Sequence, residues 1–217
     1  MIEEKINFLK QELISYAGLV ENMIRKSINA LKDKDDELAK SVIEKDECRA
    51  NDLEIEIDEL CTNIIAQYSP KGRDLRKVLM MLKMNNDLER IGDHAVNIAQ
   101  SVIRLNEPAA YTKIVDVTEM STMVLKMLNE SIDAFINDNS VVAKNVCSYD
   151  SEVDKIRDIN FTTILEHMKS GTISIDRALH LRRIFSNLER IADLATNICE
   201  EVIFIVEGKV IKHHKDL

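Results

Sequence analysis

The sequence predicts an almost entirely α-helical protein made of two copies of a three-helix unit. Three observations carry this prediction: the composition, the spacing of apolar residues and an internal repeat. Only five glycines and two prolines occur in 217 residues, of which 45% are hydrophobic and 31% are charged. This composition is typical of long helices with few turns, and the length fits one large domain or two small ones.

Apolar residues recur with helical spacing in six segments that are separated by polar stretches and helix breakers. Interruptions are predicted at residues 33–36, 69–73, 106–110, 137–140 and 170–174. Segments of roughly thirty residues are about 45 Å long, and short connections make neighbouring helices antiparallel. Each half is therefore expected to form an elongated three-helix bundle.

The second half of the chain repeats the first. "MIRKSINALKDKDDELAKSVIEKD" from Met23 aligns with "MLNESIDAFINDNSVVAKNVCSYD" from Met127 at an offset of 104 residues. The offset falls to 103 in the second helix and to 100 in the third, where "LERIGDHAVNIA" aligns with "LERIADLATNIC". A repeat of this kind predicts a duplicated unit, with one copy in residues 1–106 and the other in residues 109–217.

Acidic and amide side chains project from one face of the second and third helices in each half, because a helix turns 100° per residue. In the first half these residues are Glu47, Asn51, Glu54, Asp58, Glu89 and Asp93, and in the second half they are Asp150, Asp154, Asp158, Glu189 and Asp193. Antiparallel packing would bring them into one groove per half. Like charges four residues apart cost a helix a few tenths of a kcal/mol, so a cation is expected to offset them. Hard oxygen ligands suit Mg²⁺, Mn²⁺, Ca²⁺ or iron, and several carboxylates can hold more than one ion.

The alternative interpretation is a solvated acidic face that is ion-paired to basic residues. Arg90 and Arg190 are adjacent to the stripes and could supply such pairs. His94 follows Asp93, but it projects 100° away from it and aligns with Leu194. A surface or core role is therefore predicted for His94, rather than a role as a metal ligand.

Several classes of function are disfavoured by what the sequence lacks. A net charge of −9 would repel nucleic acid. The chain has neither an apolar run long enough to span a bilayer nor a signal peptide, so a cytoplasmic protein is expected. Without a C-x-x-C pair, the four cysteines are predicted to be reduced and buried. No histidine has a Glu three residues before it, and the HExxH, phosphate-loop and GxSxG motifs are absent, so no enzymatic activity is predicted.

The paired "LERIGDHAVNIA" and "LERIADLATNIC" segments, with "ANDLEIEIDELCTNIIA" and "SPKGRDLRKVLMMLK" before the first, resemble the PhoU family of phosphate-uptake regulators over nearly the whole chain. The resemblance implies two pseudo-symmetric three-helix bundles with E(D)xxxD motifs, at which some members bind multinuclear metal clusters. By position the motif falls on Glu54 and Asp58, Glu89 and Asp93, Asp150 and Asp154, and Glu189 and Asp193, with Glu47 and Asp158 extending the stripes. The two halves depart from each other at this motif, because the offset of 103 places Arg157 over Glu54 and Phe161 over Asp58, so the equivalence of the two sites stays open.

The resemblance also implies a regulatory role. Such a protein represses the phosphate-starvation response when phosphate is plentiful, by coupling the ATPase subunit of a phosphate ABC transporter to a sensor histidine kinase. It would be a cytoplasmic adaptor, expected as a homodimer, that reaches the membrane only through its partners and binds divalent or ferric ions (iron, zinc, manganese or magnesium). Two alternatives stay open: a metal-dependent enzyme that uses the carboxylate groove, and a metal store or structural helical protein.

Overall fold

A computed structural model describes residues 2–106 and 115–209, and these two ranges contain helices and connections but no strand. The first half contains α1 (Ile2–Asp33), α2 (Asp36–Ser41), a π-helical turn (Val42–Asp46), α3 (Glu47–Tyr68) and α4 (Arg73–Asn106). The second half contains α5 (Thr118–Ile136), α6 (Ser140–Ser148), α7 (Asp150–Lys169) and α8 (Ile175–Glu207). The predicted all-α class, with two tandem helical bundles, is confirmed.

Four of the five predicted interruptions coincide with breaks between helices. The fifth, at residues 106–110, lies mostly outside the described residues, and so does the predicted boundary between 1–106 and 109–217. The helix that follows the first break begins at a side-chain cap in both halves. The Asp35 carboxylate accepts the N–H of Leu38 at 2.9 Å, and the Asn139 side-chain oxygen accepts the N–H groups of Val141 and Val142. The caps align at the offset of 104, so the same local signal starts both helices.

The change of offset from 104 to 103 has a structural counterpart. The π-helical turn Val42–Asp46 accommodates one extra residue without ending the helix, and the Glu47 N–H donates to the Val42 carbonyl oxygen at its end. The second half lacks this residue, and its helix breaks at Tyr149, whose N–H donates to the Val146 carbonyl oxygen at 3.0 Å. The sequence did not indicate this break, which divides the second predicted helix of this half into α6 and α7.

One continuous apolar core runs through both halves. α1, α3 and α4 pack together, α5, α6, α7 and α8 pack together, and the halves meet where α4 lies against α8 and α1 against α5. Core positions recur along α1 at Leu9, Leu13 and Val20, each at most 1% exposed. Burying such a side chain contributes about 1.5–3 kcal/mol, so core packing holds the acidic stripes in place at the outer edges of the α3–α4 and α7–α8 pairs.

The four cysteines are free. Cys61, Cys147 and Cys199 are buried as predicted, whereas Cys48 is exposed on α3, so the prediction of burial was wrong for that residue. Cys48 lies on the outward face, where its Sγ is 3.4 Å from the Glu44 carbonyl oxygen. No helix in the described part of the chain is both long and apolar enough to cross a membrane.

Candidate metal centre

The first-half groove, which we define as Glu47, Glu54, Asp58, Glu89 and Asp93, lies between α3 and α4 with α1 beneath it. Burial raises the pKa of Glu47, and the charge of Asp93 raises it further. Burial also raises the pKa of Glu89, and repulsion from Asp93 and Glu54 adds to the increase. The predicted carboxylates of both helices are therefore close enough to repel one another.

This repulsion is not relieved by basic side chains. Within residues 2–106 and 115–209, the carboxylates of Glu47, Glu54, Glu89 and Asp93 form no ion pair. Arg90 lies 3.7 Å from Asp87 instead, and it only partly offsets the raised pKa of Glu89. Ion pairing to basic residues therefore does not describe these four carboxylates, although Asp93 is exposed to solvent, as a solvated acidic face predicts.

Two side-chain oxygens near this groove are buried and have no hydrogen-bond partner among the described residues. Tyr16 of α1 is 0% exposed and its hydroxyl is one of them. One turn further along α1, Val20 packs against Gly92, which lies between Glu89 and Asp93 on α4, so the phenol lies beside the groove. Burial raises the pKa of Tyr16, and the charge of Glu89 raises it further. An unpaired buried polar atom costs about 1–3 kcal/mol, so this hydroxyl is unusual in a packed core.

Asn85 of α4 holds the second unpaired oxygen. Its Nδ2 donates to Asp58 Oδ1 at 2.8 Å and to the Glu54 carbonyl oxygen at 2.9 Å, while its Oδ1 is buried without a partner. The amide therefore joins α4 to two residues of α3. Asn51 also lies on α3, but it is exposed and its side chain forms no hydrogen bond with a described residue.

Sequence reasoning missed Tyr16 and Asn85. Both residues are polar at positions where the second half carries an apolar residue, Met120 at the offset of 104 and Phe185 at the offset of 100. A polar residue in only one copy of a buried repeat position was the signal that would have revealed them.

The second-half groove, which we define as Asp150, Asp154, Asp158, Glu189 and Asp193, has a basic side chain at its centre. Arg157 of α7 places Nη1 at 2.8 Å from Asp154 Oδ1 and at 2.8 Å from Glu189 Oε1, and Nη2 at 3.0 Å from Asp158 Oδ1. These contacts join α7 to α8. The guanidinium thus supplies the positive charge that the carboxylates require.

A second arginine adds to this neutralisation. Arg190 lies 3.2 Å from Asp193 and 3.6 Å from Glu189. Asp150 lies to one side, where it lines a cleft of about 720 Å³ between α4 and α8 together with Asp193, Arg190 and His94. In the second half the ion-paired interpretation is therefore correct for Asp154, Asp158, Glu189 and Asp193.

The predicted ligands do not form a ready-made cage. Across the described residues, no three His, Cys, Asp or Glu side chains converge as metal ligands. The first-half groove is thus a loose anionic cluster, and a bound cation would have to draw its carboxylates together. The oxygens of Tyr16 and Asn85 are further groups with which a cation site could be completed.

His94 and Asp87 of α4 belong to the interface between the halves. His94 is half-buried, and its Nδ1 lies 2.8 Å from Asn187 Oδ1 of α8, so this side chain joins α4 to the second half. Asp87 is 8% exposed; burial raises its pKa to about 6, against the opposing effects of a hydrogen bond from Asn197 and the charge of Arg90. The sequence did not single out Asp87.

Comparisons with known proteins connect this architecture to a family. A family model described as the PhoU domain matches residues 13–102 and again residues 117–202. A phosphate-specific transport system accessory protein PhoU homolog from Pseudomonas aeruginosa is 36% identical over 209 residues, which cover 94% of this chain and 85% of the relative. The homolog from Clostridium acetobutylicum is 31% identical over 96% of this chain and 95% of its own length.

Two crystal structures share the fold. The phosphate transport system regulatory protein PhoU from Streptococcus pneumoniae superposes with a TM-score of 0.90 at 28% identity, over 98% of this chain and 100% of that one. PhoU from Pseudomonas aeruginosa gives a TM-score of 0.91 at 34% identity, over 96% of this chain and 100% of that one. The two matched repeats, the relatives that span both halves and the shared helical architecture together show that this chain belongs to the PhoU family.

Proposed function

We propose that this protein restrains phosphate uptake and the phosphate-starvation response as a metal-binding cytoplasmic adaptor, not as an enzyme. The observation that carries the proposal is the match over both halves to proteins named as accessory and regulatory components of phosphate transport. Its partners would be the ATPase subunit of a phosphate ABC transporter and a sensor histidine kinase. The protein would reach the membrane only through these partners, and would itself be a homodimer.

The proposed metal has a physical role in such an adaptor. A divalent or ferric ion (iron, zinc, manganese or magnesium), alone or in a multinuclear cluster, would supply the positive charge that the first-half groove lacks. By joining α3 to α4 it would also fix the relative position of two long helices. A helix surface that is already fixed loses less conformational entropy when a partner docks, so metal loss would weaken docking without unfolding the protein.

The regulatory role is tested by deleting the protein from its host and following phosphate-responsive transcription in phosphate-rich medium. Deletion is expected to raise transcription, and the wild-type protein is expected to restore repression. Unchanged transcription, in a host with no second copy, would contradict the regulatory role.

A variant carrying Asp93→Ala and Asp193→Ala tests the metal-dependent part of the proposal in the same strain. We expect it to fold and to rescue poorly, because each half loses one groove carboxylate. Full rescue would leave the adaptor role intact and remove metal from its mechanism.

A further inference from the structure

Four buried or groove-lining positions differ in chemical character between the two halves. In the first half they are Tyr16, Glu54, Asp58 and Asn85, and in the second half they are Met120, Arg157, Phe161 and Phe185. Each first-half residue carries a side-chain oxygen. Three of their second-half counterparts are apolar and the fourth is a cation, so the differences form one consistent set.

Resting on the metal-binding role proposed above, we infer that the first-half groove alone binds a cation, that oxygens of Tyr16 and Asn85 complete the site, and that Arg157 replaces the cation in the second-half groove. The inference assigns two residues outside the E(D)xxxD motifs to the site. It also implies that a bound cation neutralises the carboxylates of the first-half groove, whereas Arg157 neutralises those of the second-half groove.

The two grooves differ in how their negative charge is balanced. Arg157 contacts Asp154 on its own helix and Glu189 on α8 at 2.8 Å each, which is the bridging of two helices that a bound cation would provide. Within the described residues, Glu54 and Glu89, which align with Arg157 and Glu189, form no ion pair. A second cation in the second-half groove would therefore be repelled by Arg157, whereas a cation in the first-half groove would meet only carboxylates.

Two buried oxygens beside the first-half groove have no hydrogen-bond partner among the described residues. Asn85 uses its Nδ2 on Asp58 and on the Glu54 backbone, so the remaining Oδ1 is an amide oxygen held at fixed orientation beside the groove. Amide oxygens are ordinary ligands of hard divalent cations. The Tyr16 hydroxyl can donate its proton in a hydrogen bond to a carboxylate that holds the cation, which fixes that ligand in orientation.

The carboxylates of the first-half groove do not by themselves make a complete set of metal ligands. No three Asp, Glu, His or Cys side chains converge within the described ranges, so carboxylates alone do not make a complete set without movement. α1 lies against both α3 and α4, and Val20, one turn from Tyr16 on α1, packs against Gly92 of α4. A site on three helices thus adds the Tyr16 hydroxyl, which holds a carboxylate ligand in orientation, to the ligands that α3 and α4 supply.

The inference is tested with the full-length chain after removal of metal by a chelator. Mn²⁺ is titrated into the protein with free Mn²⁺ followed by electron paramagnetic resonance, and Zn²⁺ and Fe²⁺ serve as parallel probes. Glu54→Arg, which copies the second half, is expected to abolish binding. Tyr16→Phe and Asn85→Leu are each expected to weaken binding by about 10-fold or more, the usual effect of losing a group that supports metal ligands.

Matched controls come from the second half. Glu189→Gln with Asp193→Asn is expected to leave Mn²⁺ affinity unchanged, and Arg157→Glu is expected to add no tight site, because Met120 and Phe185 stay apolar. Circular dichroism monitors folding of every variant, and Glu54→Gln, which keeps the side-chain size, replaces Glu54→Arg if the latter unfolds.

The outcomes separate this inference from the proposed function. Loss of bound Mn²⁺ in the Glu189→Gln, Asp193→Asn variant, or wild-type affinity in Tyr16→Phe, would overturn the inference while leaving a metal-binding protein. If the wild-type chain takes up none of the three ions, the inference and the metal-dependent part of the proposed function both fail. The transcription experiment judges the regulatory role independently.

Discussion

The first-half and second-half grooves share carboxylates at three aligned positions, 47 and 150, 89 and 189, and 93 and 193, yet their charges are balanced differently. In the second half, Arg157 and Arg190 lie within 3.6 Å of four carboxylates. In the first half, the carboxylates of Glu47, Glu54, Glu89 and Asp93 form no ion pair within the described residues, and two unpaired buried oxygens lie beside them. The second-half groove thus contains its own cation, the Arg157 guanidinium, whereas no basic side chain of the described residues pairs with those first-half carboxylates.

The difference shows that a repeated motif is not a repeated site. Glu89 and Glu189 occupy aligned positions on α4 and α8 and have the same side chain. What separates them is the residue on the neighbouring helix, Glu54 in one case and Arg157 in the other. The ability of a carboxylate to hold a metal is decided by its surroundings, because its free energy depends on the charges and hydrogen bonds around it.

The largest expected effect is stabilisation of the first half by a cation. At a free cation concentration about 100 times Kd, the free energy of unfolding should rise by about 2.7 kcal/mol. A Glu89→Gln, Asp93→Asn variant should lose this increase, whereas Glu189→Gln, Asp193→Asn should keep it. Thermal and urea unfolding with and without Mn²⁺ measure the stabilisation in both variants. If both variants lose the same amount of stabilisation, the two grooves do not differ in cation binding.

The second effect compares aligned positions in metal-free protein. Arg157→Ala leaves Asp154 and Asp158 without their partner, while Glu189 keeps Arg190 at 3.6 Å. It should lower the free energy of unfolding by about 2 kcal/mol, less than for a fully buried pair because the Arg157 side chain is 22% exposed. Glu54→Ala relieves repulsion, and its backbone oxygen still accepts from Asn85, so it should change stability by less than about 0.5 kcal/mol.

Urea unfolding in the presence of a chelator measures the two substitutions side by side. Similar losses for Arg157→Ala and Glu54→Ala would mean that the first-half groove contains a stabilising interaction of Glu54 that its surroundings do not suggest.

The smallest effect concerns the interface of the halves. Asp87 aligns with Asn187, which is neutral, and Asp87→Asn makes the two copies alike. Burial raises the pKa of Asp87 from its ordinary value of 3.8 to about 6 in the folded protein. Protonated Asp87 therefore favours the fold below about pH 4, and this contribution is lost as the pH rises through about 6.

Asp87→Asn should accordingly raise the free energy of unfolding by about 1–2 kcal/mol at pH 7 and change it little at pH 4. Chemical unfolding of both proteins across this pH range measures the difference. An Asp87→Asn protein that is less stable than wild type at pH 7 would show that the charged carboxylate, through Asn197 and Arg90, supports the interface.

Much of the fold followed from the sequence alone. Apolar spacing located the long helices, the breakers located four of the described interruptions, and the repeat established two copies of one bundle, because these signals are local or periodic and need no knowledge of contacts. The sequence also showed that Arg157 stands in the second half at the position that aligns with Glu54. The π-helical turn and the break at Tyr149 were not, since a shift of one residue in an alignment does not say how the backbone absorbs it.

Tertiary structure decided the rest. Only the packing of α1 beneath α3 and α4 brings the Tyr16 hydroxyl to the first-half groove, and only the contact of α7 with α8 shows that Arg157 bridges two helices. The sequence determined which side chains carry charge and which face of each helix they occupy. Which charges meet depends on distances between residues that are far apart in the chain, because electrostatic free energy depends on separation and burial, and only the folded molecule determines these.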